Sequence, residues 1–298
     1  MADDDGQHHF VLYYYTPNTG AAVLFIILFG AATIGHIVQM FRFKMWFWTA
    51  FIIGSGIEAI GYIGRLLGHN NNTALGPFIL QSTLLLVAPA LFAASIYMTL
   101  GRISLRTSTS HLLPIRQRWL TLTFVCGDIL SFLVQASGAG ILAMKNNNSV
   151  SLGQDVILTG LGIQIFWFGV FVIVAWKFHR RVDAFLLAER EGQVGHPAEA
   201  LPWKKLMVTL YVASGLILVR SVFRVVEYGM GNSGYLMKHE AFLYVFDSTL
   251  MFLVTAFFLW VHPSEVLVKE GKTGYRMERF ETRGESVQPI KVSSEAQR

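Results

Sequence analysis

Seven apolar stretches, each about as long as the hydrocarbon core of a bilayer is thick, constrain this chain more than any other feature. A spanning helix needs roughly 20 mostly apolar residues to cross about 30 Å of hydrocarbon. Inside lipid, the backbone satisfies its own polar groups only as a helix or a closed barrel. The stretches fall at 20–40, 46–66, 77–101, 119–143, 153–176, 206–226 and 240–261. They predict an all-α, polytopic membrane protein: a seven-transmembrane-helix bundle over 20–262, an outer segment over 1–19 and a cytoplasmic tail over 263–298. The tail is charged and lacks apolar periodicity, so disorder is expected there. Only 14% of residues are charged, whereas soluble domains carry about a quarter.

The basic residues set the orientation. With the amino terminus outside, 19 of the 24 Lys and Arg residues fall in cytoplasmic segments and the carboxyl-terminal tail, and only Lys145 and Lys238 fall in outer loops. This is a strong positive-inside bias. The net charge of +5 therefore reflects topology, and no nucleic-acid partner is implied. Two glycosylation sequons, at Asn71 and Asn147, lie in outer loops under the same orientation. The opening Met1-Ala2-Asp3-Asp4-Asp5 lacks the positive region of a signal peptide, so the first helix is expected to serve as its own insertion signal. Seven spans do not divide into equal halves, which weakens an inverted-repeat transporter architecture.

Charges within the spans are the informative residues, because each costs about 2.5–3.5 kcal/mol at mid-membrane on insertion scales. Glu58 and Arg65 are seven apart on the second helix, which at about 100° per residue places them on one face. Asp128 and Gln135 repeat the spacing on the fourth helix, and Glu240 and Asp247 on the seventh. Arg220, Arg224 and Glu227 form one stripe on the sixth. Lipid offers these groups no partners, so each set must face the bundle interior. Counted from the cytoplasmic side, Glu58 lies roughly 18 Å deep and Arg65 roughly 28 Å. The expectation is one polar cavity in the outer half of the bundle, ringed by these nine residues and narrowing toward Glu58 and Asp128. Buried ion pairs that only fix helix register are the competing account.

Other chemistry has little support. Only His36 among nine histidines lies within a span, which is too few for an embedded zinc site, and no metal or cofactor is expected. Gly271-Lys272-Thr273 lacks the glycine and the strand of a phosphate loop. Cys126 is a single thiol in an apolar helix, suited to core packing. Pro89 should kink the third helix by removing one backbone bond. Gly54, Gly56, Gly61, Gly64, Gly138, Gly140, Gly160 and Gly162 suit close helix approach.

Over roughly residues 10–265 the chain resembles the RTA-like fungal membrane proteins, also called the lipid-translocating exporter family. The resemblance rests on Tyr15-Thr16-Pro17, the run from Glu58 to Arg65 with Gly61, Tyr62 and Gly64, and Ala88-Pro89-Ala90 followed by Ala93 to Met98. It continues through Asp128, Ser131, Gln135, Gly138, Gly160 and Gln164, then Arg220 to Arg224 with Glu227-Tyr228, and Glu240, Tyr244 and Asp247. The resemblance implies a plasma-membrane protein that handles amphiphilic lipids. Its relatives are linked to resistance to toxic sterol-like amines, to export of sphingoid long-chain bases and, in one branch, to porphyrin uptake. The leading expectation is thus a non-enzymatic translocase whose partners are membrane lipids and an amphiphilic substrate. A seven-helix lipid sensor that binds without transporting is the alternative, and an intramembrane lipid-modifying enzyme is the weakest. Oligomeric state and substrate identity are not written in the sequence.

Overall fold

The computed structural model describes residues 18–70, 75–142, 147–191, 201–230 and 240–267. Asn71, the amino-terminal segment before Asn18 and the tail beyond Leu267 lie outside them. Among the described residues there is no strand, and seven helices are long and apolar enough to cross a membrane. They are α1 (Thr19–Phe43), α2 (Thr49–Asn70), α3 (Leu75–Arg106), α4 (Gln117–Leu142), α5 (Asn147–Glu191), α6 (Trp203–Gly229) and α7. α7 is built from Glu240–Leu243, a π-helical turn over Tyr244–Thr249 and a run over Leu250–Trp260. A short α8 (Ser264–Leu267) follows. Asn147, expected in an outer loop, is the first residue of α5.

Local chemistry explains the ends of α1. The Asn18 side chain accepts hydrogen bonds from the Gly20 and Ala21 amides, capping donors that have no partner within the helix. Lys44 closes the other end in the left-handed region (φ 56°), its amide donating to the Met40 carbonyl. α5 has 45 residues and spans about 67 Å at 1.5 Å per residue, more than twice the hydrocarbon thickness. Its last turns therefore project beyond the bilayer. They are tied down where Asp183 meets Lys204 at 2.7 Å and where Arg181 donates to the Leu112 carbonyl.

The bundle is apolar outside and charged inside, the reverse of a soluble domain. Ile27, Leu133 and Phe166 are exposed on α1, α4 and α5, while Arg65 and Arg220 are buried. α2, α3 and α6 carry the most buried surface, and α7 packs on α1 and α6. Between α1, α2, α3 and α7 sits an aromatic core in which Trp48 stacks on Phe51 and Phe51 meets Phe92. His36 belongs to this core: Trp48 Nε1 donates to its Nδ1, which leaves Nε2 to donate to the Thr255 carbonyl.

The small residues divide into two groups. A Cβ at Gly160 would sit 2.6 Å from Gln135 Cγ, and one at Gly138 would sit 2.8 Å from the Gly153 carbonyl, so α4 and α5 meet backbone to backbone there. Gly140 and Gly162, expected to allow close helix approach, face open space instead. Cys126 is likewise exposed on α4 and not in the core.

Candidate functional site

Seven of the nine charged or polar residues singled out from the sequence gather on α2, α6 and α7. At one edge of this group, Arg65 Nη2 pairs with Glu240 Oε1 at 2.7 Å, and Arg65 Nε donates to the Tyr244 hydroxyl at 3.1 Å. The Glu240 carboxylate also accepts from the Asn18 amide at 2.9 Å. One carboxylate thus ties α2 and α7 to the start of α1. Deeper in, Asp247 pairs with both Arg220 and Arg224, and Arg224 Nη1 pairs with Glu227 Oε2 at 2.9 Å. Beside them the Tyr62 hydroxyl is hydrogen-bonded to Ser248.

Two backbone irregularities shape this centre. Pro89 has no amide hydrogen, so the carbonyl of Leu85, one turn earlier, loses its helical donor. Arg220 Nη2 fills that vacancy, donating to the Leu85 carbonyl at 2.6 Å. The α3 proline and the α6 arginine are therefore one device. The π turn in α7 holds Tyr244, Asp247 and Ser248, all buried. Such turns insert a residue into the helical register and are frequent at functional sites.

Glu58 differs from its neighbours. It is 1% exposed, close enough to Asp247, Arg220 and Arg224 to interact with them electrostatically, and its Oε1 has no hydrogen-bond partner. Among the described residues this cluster holds three cations, Arg65, Arg220 and Arg224, against four acids, Glu58, Glu227, Glu240 and Asp247. The other three acids are engaged by arginines, so Glu58 is the surplus carboxylate. Arg224 Nε is a buried donor that also lacks a partner. A buried acceptor at Glu58 and a buried donor at Arg224 thus stand unpartnered in one cluster.

Asp128 and Gln135 stand apart, so the nine residues do not ring one cavity. Tyr97 on α3 donates to Asp128 Oδ2 at 2.9 Å, and Gln135 donates to Gln164 of α5 at 3.1 Å. The glycine seam draws α4 onto α5, and Asp128 turns to α3, where Tyr97 packs among Phe124, Phe168 and Phe171. Among the described residues no cation pairs with Asp128, and its Oδ1 has no hydrogen-bond partner. The Leu85 carbonyl, Ser248 and Asn18 were not singled out as site residues. Only the first leaves a trace in the sequence, four positions before Pro89.

The family described as "RTA1 like protein" matches residues 51–270. Among curated proteins of Saccharomyces cerevisiae, protoporphyrin uptake protein 1 is 35% identical over 82% of this chain and 89% of its own length. Protein RTA1 is 34% identical over 85% of each chain. Sphingoid long-chain base transporter RSB1 is 28% identical over 83% of this chain and 72% of its own. No solved structure matches the chain.

Proposed function

The chain belongs to the RTA1-like protein family, and on that premise we propose that it translocates amphiphilic lipids, such as sphingoid long-chain bases or sterol-like amines, across the membrane. Glu58 carries this reading: a buried carboxylate oxygen without a partner, in a cluster with one acid more than it has arginines. A cationic amine headgroup supplies the missing charge, and a neighbouring hydroxyl oxygen accepts from Arg224 Nε. Neither group of an amino alcohol is then left unpaired in a medium where an unmet polar group is costly. The name of one relative, a sphingoid long-chain base transporter, fits the same headgroup chemistry. In this account the amino terminus faces outward, the protein sits in the plasma membrane and the headgroup enters from the outer half.

Purified protein in liposomes, given a fluorescent long-chain base, provides the test. Wild type should move the label between leaflets, and Glu58→Gln should lower the rate about tenfold or more, the worth of one charge-assisted contact. Binding without movement in wild type marks a sensor. Full activity in Glu58→Gln removes Glu58 from the headgroup site.

A further inference from the structure

The charge cluster lies at one end of the bundle, and the opposite end carries the unmatched cations. There the connections α1–α2 and α3–α4, the start of α6 and the end of α7 are bound together: Arg106 donates to the Val266 carbonyl, Lys205 pairs with Glu265 at 3.1 Å, and Phe43 stacks on His262. Between α3 and α4 at this end is a groove of about 410 Å³, lined by Met98, Arg102, Leu105, Gln117 and Thr121. We propose that this groove is a binding site for the headgroup of an anionic phospholipid. It rests on neither the translocation reading nor its substrate.

The groove is built by spacing and by one glycine. Met98, Arg102 and Leu105 share a face of α3, while Gln117 and Thr121 share a face of α4. The two helices close at the floor, where a Cβ on Gly101 would lie 3.0 Å from Gln117 Cγ. The Arg102 guanidinium is held 4.0 Å from the centroid of the Phe47 ring, so its position is fixed by an aromatic face. Among the described residues no acid lies within ion-pair distance of Arg102 or Arg116; Asp183 and Glu265 are taken by Lys204 and Lys205. Arg102 is thus a positioned cation whose counter-ion is missing.

The depth of the groove favours a lipid as the source of that counter-ion. Trp46, Trp119, Trp176 and Trp260 are all exposed. Trp46 lies in the α1–α2 connection, Trp119 near the start of α4 and Trp260 at the end of α7, all at this end. Trp176 lies in α5 before the turns that project beyond the bilayer. Exposed tryptophans gather where the hydrocarbon meets the headgroups, so this girdle sets the groove mouth at headgroup level. A phosphodiester meets Arg102, Gln117 and Thr121 offer hydrogen bonds to the polar headgroup, and the acyl chains descend past Met98 and Leu105. A zwitterionic choline lipid fits less well, because its ammonium faces Arg102 without an acid to receive it.

Spin-labelled lipids in phosphatidylcholine proteoliposomes test this. Wild type should immobilise labelled phosphatidylserine about fivefold more strongly than labelled phosphatidylcholine, the scale of one basic residue at a membrane surface. Arg102→Gln removes the cation and Thr121→Trp fills the groove; each should bring the ratio to within about twofold of unity. Arg42→Gln, a basic residue at the same end but outside the groove, should keep the preference. Unchanged thermal unfolding of each variant shows that the fold is intact, and either variant alone decides if the other fails to fold. Equal immobilisation of the two lipids by wild type, or a preference surviving in every folded groove variant, overturns the proposal. Loss of the preference in inorganic phosphate, but not in chloride of equal ionic strength, overturns the lipid source and leaves a free-anion site.

Discussion

Asp247 is shared by two arginines one turn apart on α6, and Glu58 faces the same group with its Oε1 unpartnered. The two acids should answer to neutralisation in opposite ways. Asp247→Asn leaves Arg220 and Arg224 short of a buried counter-charge, and breaking such a pair costs about 3–5 kcal/mol. The expected result is a large fall in thermal stability, or loss of folded protein from the membrane, measured on detergent-purified material. Glu58→Gln breaks no ion pair and keeps the side-chain volume, so its unfolding should track wild type while translocation slows about tenfold or more. Equal destabilisation by both would make Glu58 a structural acid. At this scale the sequence is informative about faces and silent about partners. Seven-residue spacing aligns Glu58 with Arg65 and Glu240 with Asp247, but that Arg65 chooses Glu240, 175 positions away, depends on how the helices are arranged. Asp128 shows the cost of that silence: its spacing with Gln135 matches the other stripes, yet its partner is a tyrosine.

Helix lengths and positions follow from apolar runs, because lipid leaves the backbone no alternative to internal hydrogen bonding. Two departures are harder to read. The π turn over Tyr244–Thr249 has no sequence signature, and it sets where Asp247 and Ser248 point. Pro89 announces a freed carbonyl at Leu85, but only packing shows that Arg220 answers it. Glycines pose a similar limit, since close approach and open space look alike in a sequence. Gly160→Ala sets a Cβ against Gln135 Cγ and 2.9 Å from the Ser131 carbonyl, and overpacking of this kind costs about 1–3 kcal/mol. Gly162→Ala meets nothing within 4 Å and gains helix propensity of up to about 1 kcal/mol. Thermal unfolding should therefore fall for the first and hold or rise for the second. Equal melting of the two would mean that the α4–α5 seam yields without cost.

The whole molecule is polarised. One end holds the paired acids and arginines of α2, α6 and α7; the other holds the loops rich in lysine and arginine and the tryptophan girdle. The amino-acid pattern fixes this polarity because positively charged loops resist translocation during insertion, whereas buried pairs travel as neutral units. Which end meets the cytoplasm is a prediction from the 19-to-2 split of basic residues, and it can be tested in a Cys126→Ala background. A cysteine at Met230, exposed at the end of α6 near the charge cluster, should react with a membrane-impermeant maleimide on intact cells. A cysteine at Ser110, exposed in the α3–α4 connection, should react only after permeabilisation. The reverse pattern would turn the bundle over. It would set Glu58 in the cytoplasmic half and Arg102 in the outer leaflet, where anionic phospholipids are scarce, and so remove the physical reason for a lipid at the α3–α4 groove while leaving every helix contact as it is.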